Sequence, residues 1–254
     1  MEQIVQFFNE AGWLANLLGI GGSLVGASWF GIGFARPRLA ASRIDKVIPL
    51  DFERKWNDSS AKEIARIAIV DDQPADFPTA ELKSDGFQVQ TYKQVTLSKT
   101  AQLATYDIVF LDMKGVVKDD PENGGMKLIA ELRRLNPAQK ICAVSSKTFD
   151  INATAFFRQA DDAKKKPLTA HECRAVIKTF LNEQFSLQVL RDTAQEATKK
   201  LTRDRRVTVV QNLRKFSKGE LTIDQLREVI SKMASDANLT YRLTNIARAV
   251  AHAG

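Results

Sequence analysis

Between residues 66 and 146 the apolar positions come in short runs separated by longer amphipathic stretches. IAIV (67–70) runs into Asp71 and Asp72, FQVQTY (87–92) follows Gly86, DIVFLD (107–112) closes on Asp112, and KICAVSS (140–146) is a fourth run. Runs of this length predict strands, whereas MKLIAELRRL (126–135) sets Leu128, Ile129, Leu132 and Leu135 on one face of a helix. Strands alternating with helices predict an α/β fold, a parallel sheet covered on both faces.

The pattern changes on both sides of this region. From Ala11 to Ala35 no side chain is ionisable, and a helix of that length spans the roughly 30 Å hydrocarbon core of a bilayer. Arg36, Arg38 and Arg43 follow, which by the charge asymmetry of membrane proteins places the N-terminus outside and residues 36–254 in the cytoplasm. Ala15, Gly19, Ser23, Ala27, Gly31 and Ala35 recur every fourth position beside a Gly22/Gly26 pair, a spacing that lets two membrane helices pack closely and favours a homo-oligomer. Beyond residue 183 the pattern is helical, with segments at 185–201, 205–216 and 237–252, and a capping box from Thr222 to Gln225 opening LTIDQLREVISKMA. The expected layout is an N-terminal segment (1–10), a transmembrane helix (11–35), a juxtamembrane linker with little core of its own (36–63), an α/β domain (64–183) and an all-α C-terminal domain (184–254). The location that follows is the inner or cytoplasmic membrane, crossed once.

Charge sharpens the picture at one end. The net charge is +7 overall but +6 in residues 184–254 alone. A basic tail suits nucleic acid or an anionic surface. No glycine turn joins helices of helix-turn-helix proportions, so nucleic acid is disfavoured and a protein partner is the expected target. Cys142 and Cys173 lie in apolar-periodic segments without metal-ligand spacing and are expected to be reduced core residues. His171 and His252 stand alone, and no nucleophile–base pair or phosphate loop marks a metabolic enzyme.

In open parallel sheets ligands bind beyond the carboxyl ends of the strands. Asp71, Asp72 and Asp112 each fall at such an end, and three converging carboxylates repel one another unless a hard cation such as Mg²⁺ joins them. With IVDDQP, IVFLDM, CAVSS and KKKP in that order and spacing, residues 66 to about 183 resemble a response-regulator receiver domain. The resemblance covers nearly half the chain. It implies a flavodoxin-like, doubly wound sheet of five parallel strands. It further implies that Asp112 accepts a phosphoryl group from a histidine kinase or small phosphodonor, and that Asp71, Asp72, Asp112 and the backbone carbonyl of Lys114 hold Mg²⁺. Lys166 would pair with the phosphoryl oxygens and Ser145 would hydrogen-bond them. Such a chain is a phospho-accepting switch and not an enzyme, driven by phosphorylation or by partner binding and relaying to the C-terminal helices.

Departures accompany the resemblance. MKGVVKDDPENGG, after Asp112, is longer than the family's loop and is expected to restrict access to the site or to give a partner a grip. Ala163 stands where an aromatic switch residue is usual, Lys164 and Lys165 occupy the fifth strand, and Pro74 and Pro78 interrupt the first helix. Two other functions follow from the N-terminal stretch: a membrane effector that oligomerises and perturbs the bilayer, and a membrane-tethered DNA-binding regulator.

Overall fold

A computed structural model describes residues 43–146 and 151–253. Five parallel strands form one sheet: β1 (Arg66–Val70), β2 (Gln88–Tyr92), β3 (Ile108–Asp112), β4 (Lys140–Ser145) and β5 (Asp162–Lys165), in the order β2-β1-β3-β4-β5. This is the flavodoxin-like order of doubly wound sheets. β3 is buried at all five positions and β1 at four, as expected of central strands covered on both faces.

Side chains of alternate parity feed two separate cores. On one face Ile67, Ile69, Ile108, Phe110, Cys142 and Val144 meet Cys173, Ile177 and Phe180. On the other, Ala68, Val70, Val109, Leu111, Ile141 and Ala143 meet Leu103, Leu128, Ile129 and Leu132. Both cysteines are unbridged and buried, and desolvation pushes the Cys173 thiol up to about 12.

In chain order the helices are α1 (Phe52–Lys55), α2 (Asp58–Ile64), α3 (Thr79–Ser84), α4 (Thr100–Leu103), α5 (Gly124–Leu135), α6 (Ile151–Phe157), α7 (Ala170–Phe185), α8 (Leu187–Lys200), α9 (Arg203–Ser217), α10 (Ile223–Ala234) and α11 (Ala237–Ala253). α3 is short because Pro74 and Pro78 confine the preceding residues to a single 3-10 turn, Pro74–Asp76. β5 is one of the two edge strands, exposing Ala163 and Lys165, so the charged residues cost little burial there and discourage pairing with another chain. The capping box at Thr222 is formed with Gln225, and Thr169 and Glu172 form a second at the start of α7.

The described part of the region expected to be a linker, residues 43–63, is built into a core. Ile44, Val47, Ile48 and Phe52 are buried against Leu190, Ala194, Val209, Leu213, Ile230, Leu243 and Ile246 of α8 to α11. Its apolar residues follow a short 3-10 turn, Ile44–Val47, and α1. Elements of so few residues carry too little periodicity to be read from sequence.

The expected single-pass membrane location is corrected. Among the described residues no helix is long and apolar enough to cross a membrane. The longest, α11, has 17 residues, carries Arg242 and Arg248, and packs as one wall of the helical core, whereas a span needs about 20 predominantly apolar residues. The apolar stretch 11–35 and its small-residue pattern lie outside the described residues.

Candidate acid cluster at the sheet's carboxyl edge

The strand ladders bring the acids together. The amide of Asp71 donates to the Tyr92 carbonyl (3.0 Å), extending the β1–β2 ladder by one residue. Asp112 is the last residue of β3, in register with Val144 of β4. Ser145 follows Val144 and is in register with Lys165 of β5, and the next amide, Lys166 N, donates to the Ser145 carbonyl (3.1 Å). One carboxylate oxygen from each of Asp71, Asp72 and Asp112 lies within 4.8 Å of the others.

Lys166 closes the cluster from the β5 side. Its Nζ donates to Asp112 Oδ2 at 2.8 Å and to Asp71 Oδ2 and Oδ1 at 2.9 and 3.1 Å. Lys166, Asp112 and Asp71 are 8%, 7% and 0% exposed, so this is a buried network. Asp71 Oδ1 also accepts from the Gln73 amide (2.8 Å), and Asp112 Oδ1 from the Met113 amide (2.7 Å). Each buried oxygen therefore has a donor, as low-dielectric surroundings require. Asp72 is exposed and forms the solvent side.

Burial controls the protonation of these groups. Desolvation raises the Asp71 carboxyl from 3.8 to about 6, against the lowering effect of Lys166 and the Gln73 amide. Desolvation likewise raises Asp112, opposed by Lys166 and the Met113 amide. For Lys166, burial acts to lower the pKa but is outweighed by the hydrogen bonds it donates to Asp112 and Asp71, which hold it above its ordinary value.

Two glycines make room for the arrangement. Gly115 has φ +74°, and a Cβ there would sit 2.4 Å from Asp72 Oδ2; at Gly125 a Cβ would meet the Met113 carbonyl oxygen at 2.2 Å. The first lets the chain pass over the Asp72 carboxylate. The second lets the first turn of α5 rest on the backbone leaving Asp112.

The long loop after β3 is stitched down. Val95 N donates to Val116 O (2.8 Å), Lys118 N to Val95 O (3.0 Å) and Gly115 N to Pro121 O (2.8 Å), and Val116 and Val117 are fully buried. Lys114 pairs with Glu122 (2.5 Å) and Lys127 with Asp120 (2.6 Å). Asp120 and Glu122 of this loop thus lean on neighbouring lysines.

All the sequence-expected residues, Asp71, Asp72, Asp112, Lys114, Ser145 and Lys166, fall at this one edge of the sheet. One contributor escaped notice: Asp76, whose Oδ2 is 3.6 Å from Lys166 Nζ. It stands in a proline-bounded turn soon after the acidic pair, a position that does not by itself bring it to Lys166. Gly115 was visible as the residue after Lys114, but its role depends on a φ value that no pattern reveals.

No protein-family model and no curated protein matches the chain. Among solved structures it is similar to a response-regulator receiver domain protein (CheY-like) from Methanospirillum hungatei, at 24% identity over 47% of this chain and 94% of that one, with a TM-score of 0.39. A two-component response regulator from Clostridium difficile is similar at 18% identity over 46% and 96%, TM-score 0.38. A response regulator from Burkholderia pseudomallei, with a phosphorylated aspartic acid, calcium ion and citrate, is similar at 17% over 66% and 92%, TM-score 0.37.

Proposed function

We propose that this chain is a signalling switch of the two-component type, in which Asp112 accepts a phosphoryl group from a histidine kinase or a small phosphodonor. The observation that carries the reading is the buried contact of Lys166 Nζ with both Asp71 and Asp112, with Asp72 completing the carboxylate group. Such a site suits phosphoryl transfer, which asks mainly for an oxygen nucleophile and for cations around the equatorial oxygens.

The donor set fits Mg²⁺: three carboxylates with ligand atoms in mutual reach, all hard oxygens, at a sheet edge with one member open to solvent. Asp71, Asp72, Asp112 and the Lys114 carbonyl would hold it, and when bound it supplies charge neutralisation for the phosphoryl oxygens. The chain's own groups do the rest. An Asp112 carboxylate oxygen attacks phosphorus, the bond from phosphorus to the donor nitrogen or oxygen breaks, and the leaving group departs with the electron pair. The product is an acyl phosphate. Lys166 remains beside the new charge, and Ser145 at the end of β4 supplies a hydroxyl to it. Output passes to a protein partner through the C-terminal helices, and the chain turns over no substrate of its own.

Full-length protein incubated with acetyl phosphate and Mg²⁺ should gain one phosphoryl group on Asp112 by mass spectrometry, and beryllofluoride with Mg²⁺ should perturb the same site. Asp112→Asn should abolish both. Absence of modification in the wild type, together with no beryllofluoride response, would remove the phospho-switch. Partner binding alone is the second reading, favoured by the partial neutralisation that Lys166 already provides, and it would leave output intact in Asp112→Asn.

A further inference from the structure

Away from the acid cluster, a groove of about 340 Å³ runs between α2 and α7. It traces to the proline-shortened first crossover: α3 ends at Ser84, so Asp85 and Phe87 are left between the two longer helices. The floor is apolar, with Ala61 and Leu181 buried and Phe87 half-buried.

Three cations, Lys62, Arg174 and Lys178, stand around this floor against one lining acid, Asp85. Neighbouring groups hold Arg174 and Lys62. Arg174 Nε donates to Asp85 Oδ2 at 2.6 Å with a Glu81 carboxylate oxygen 4.0 Å from its guanidinium, and Lys62 Nζ lies 4.6 Å from the centre of the Phe87 ring. The volume lies at the lower end of the range for small-molecule sites, about 300–1,000 Å³. Positive charge beside a low-dielectric wall concentrates anions. The lining is nine residues, far short of the roughly 20–30 a side that a stable protein interface uses.

We propose that this groove binds a small organic anion, its aromatic or branched aliphatic body seated on Phe87, Leu181 and Ala61 and its single carboxylate, sulfonate or phosphate facing Lys62 and Lys178. The site shares no residue with the acid cluster, so it stands or falls independently of phosphorylation. The ligand bridges α2 to α7, the helices that carry the sheet on one side and the C-terminal helices on the other.

The probe is 8-anilinonaphthalene-1-sulfonate, titrated into the full chain beside its neutral analogue N-phenyl-1-naphthylamine. Saturable, blue-shifted emission from one site is expected for the sulfonate, with at least tenfold weaker binding of the neutral dye. Lys62→Glu combined with Lys178→Glu should weaken the sulfonate at least tenfold while thermal melting is unchanged, and Asp112→Asn should leave it unaltered. Should the double variant fail to fold, Ser59→Trp fills the groove from its exposed rim and should remove the signal. Equal binding of the two dyes, undiminished binding in the variants, or no saturable emission would overturn the proposal. Displacement by an acidic aromatic peptide but not by naphthalene-1-carboxylate would assign the groove to a protein partner and overturn it also. A signal that follows concentration-dependent dimerisation in sedimentation would do the same.

Discussion

Asp71 holds a carboxyl group where no water reaches it, and its pKa of about 6 is the measure of that cost. A carboxyl whose pKa rises on folding binds its proton more tightly in the fold than in the unfolded chain. This group therefore costs nothing below about pH 4, and its destabilisation grows as the pH climbs to about 6 and is complete above it. A shift of roughly two units at about 1.4 kcal/mol each sets a ceiling near 3 kcal/mol, reduced by the Lys166 contact that substitution would weaken. In metal-free buffer at pH 7.5, Asp71→Asn should melt at or above the wild-type temperature. Added Mg²⁺ should raise the wild-type melting temperature and leave the variant's unchanged, and equal Mg²⁺ responses in scanning calorimetry would contradict the ligand assignment. At this scale the sequence was informative: the positions of Asp71, Asp72, Asp112, Ser145 and Lys166 could all be read from strand ends and short motifs. Asp76 could not, because its approach to Lys166 depends on how a 3-10 turn folds back.

Among the elements, the loop after β3 and the start of α5 decide how firmly Asp72 is held. Gly115 is in the left-handed region with the Asp72 carboxylate under it. Gly115→Ala should cost about 1–2 kcal/mol from the backbone alone and should push Asp72 aside. Mg²⁺ affinity by isothermal calorimetry is expected to fall at least tenfold while acetyl phosphate still modifies Asp112 slowly at high Mg²⁺. Unchanged affinity would mean that Asp72 is not a ligand. β1 to β4 were readable from their apolar runs and the longer helices from their periodicity, and the four C-terminal helices, α8 to α11, lie close to where their caps and faces put them. What could not be read was the stitching of Val95 to Val116 and Lys118, a pairing of two irregular segments that leaves no periodic trace. The loop expected to restrict access to the site or to give a partner a grip is anchored by it.

Across the molecule, the sheet and the C-terminal helices meet at the end opposite the acids. Arg248 on α11 donates to both carboxylate oxygens of Asp107, at 2.6 and 3.0 Å, and to the Ile64 carbonyl. Asp107 Oδ2 also accepts from the Arg66 amide (2.8 Å). Asp107 immediately precedes β3, the strand that ends in Asp112. Arg248→Ala would leave the Asp107 charge buried without its partner, a loss of about 3–5 kcal/mol. Urea unfolding of this variant should show the helical core releasing before the sheet, as a second phase in far-ultraviolet circular dichroism. A single transition at the wild-type midpoint would show that the pair does not join the two parts. This contact was illegible in the sequence, since it unites residues 141 positions apart that share no motif.

The burial of Ile44, Val47 and Phe52 against α8 to α11 has a consequence for synthesis. The helical core is made from two pieces of chain with the whole sheet region between them. At about 5–20 residues per second, a ribosome needs on the order of ten seconds or more to deliver the second piece. The sheet can be finished in that interval, while the first piece waits with its apolar side chains uncovered. A nascent chain of this protein is thus expected to offer a chaperone a brief, early binding site that vanishes when α11 emerges.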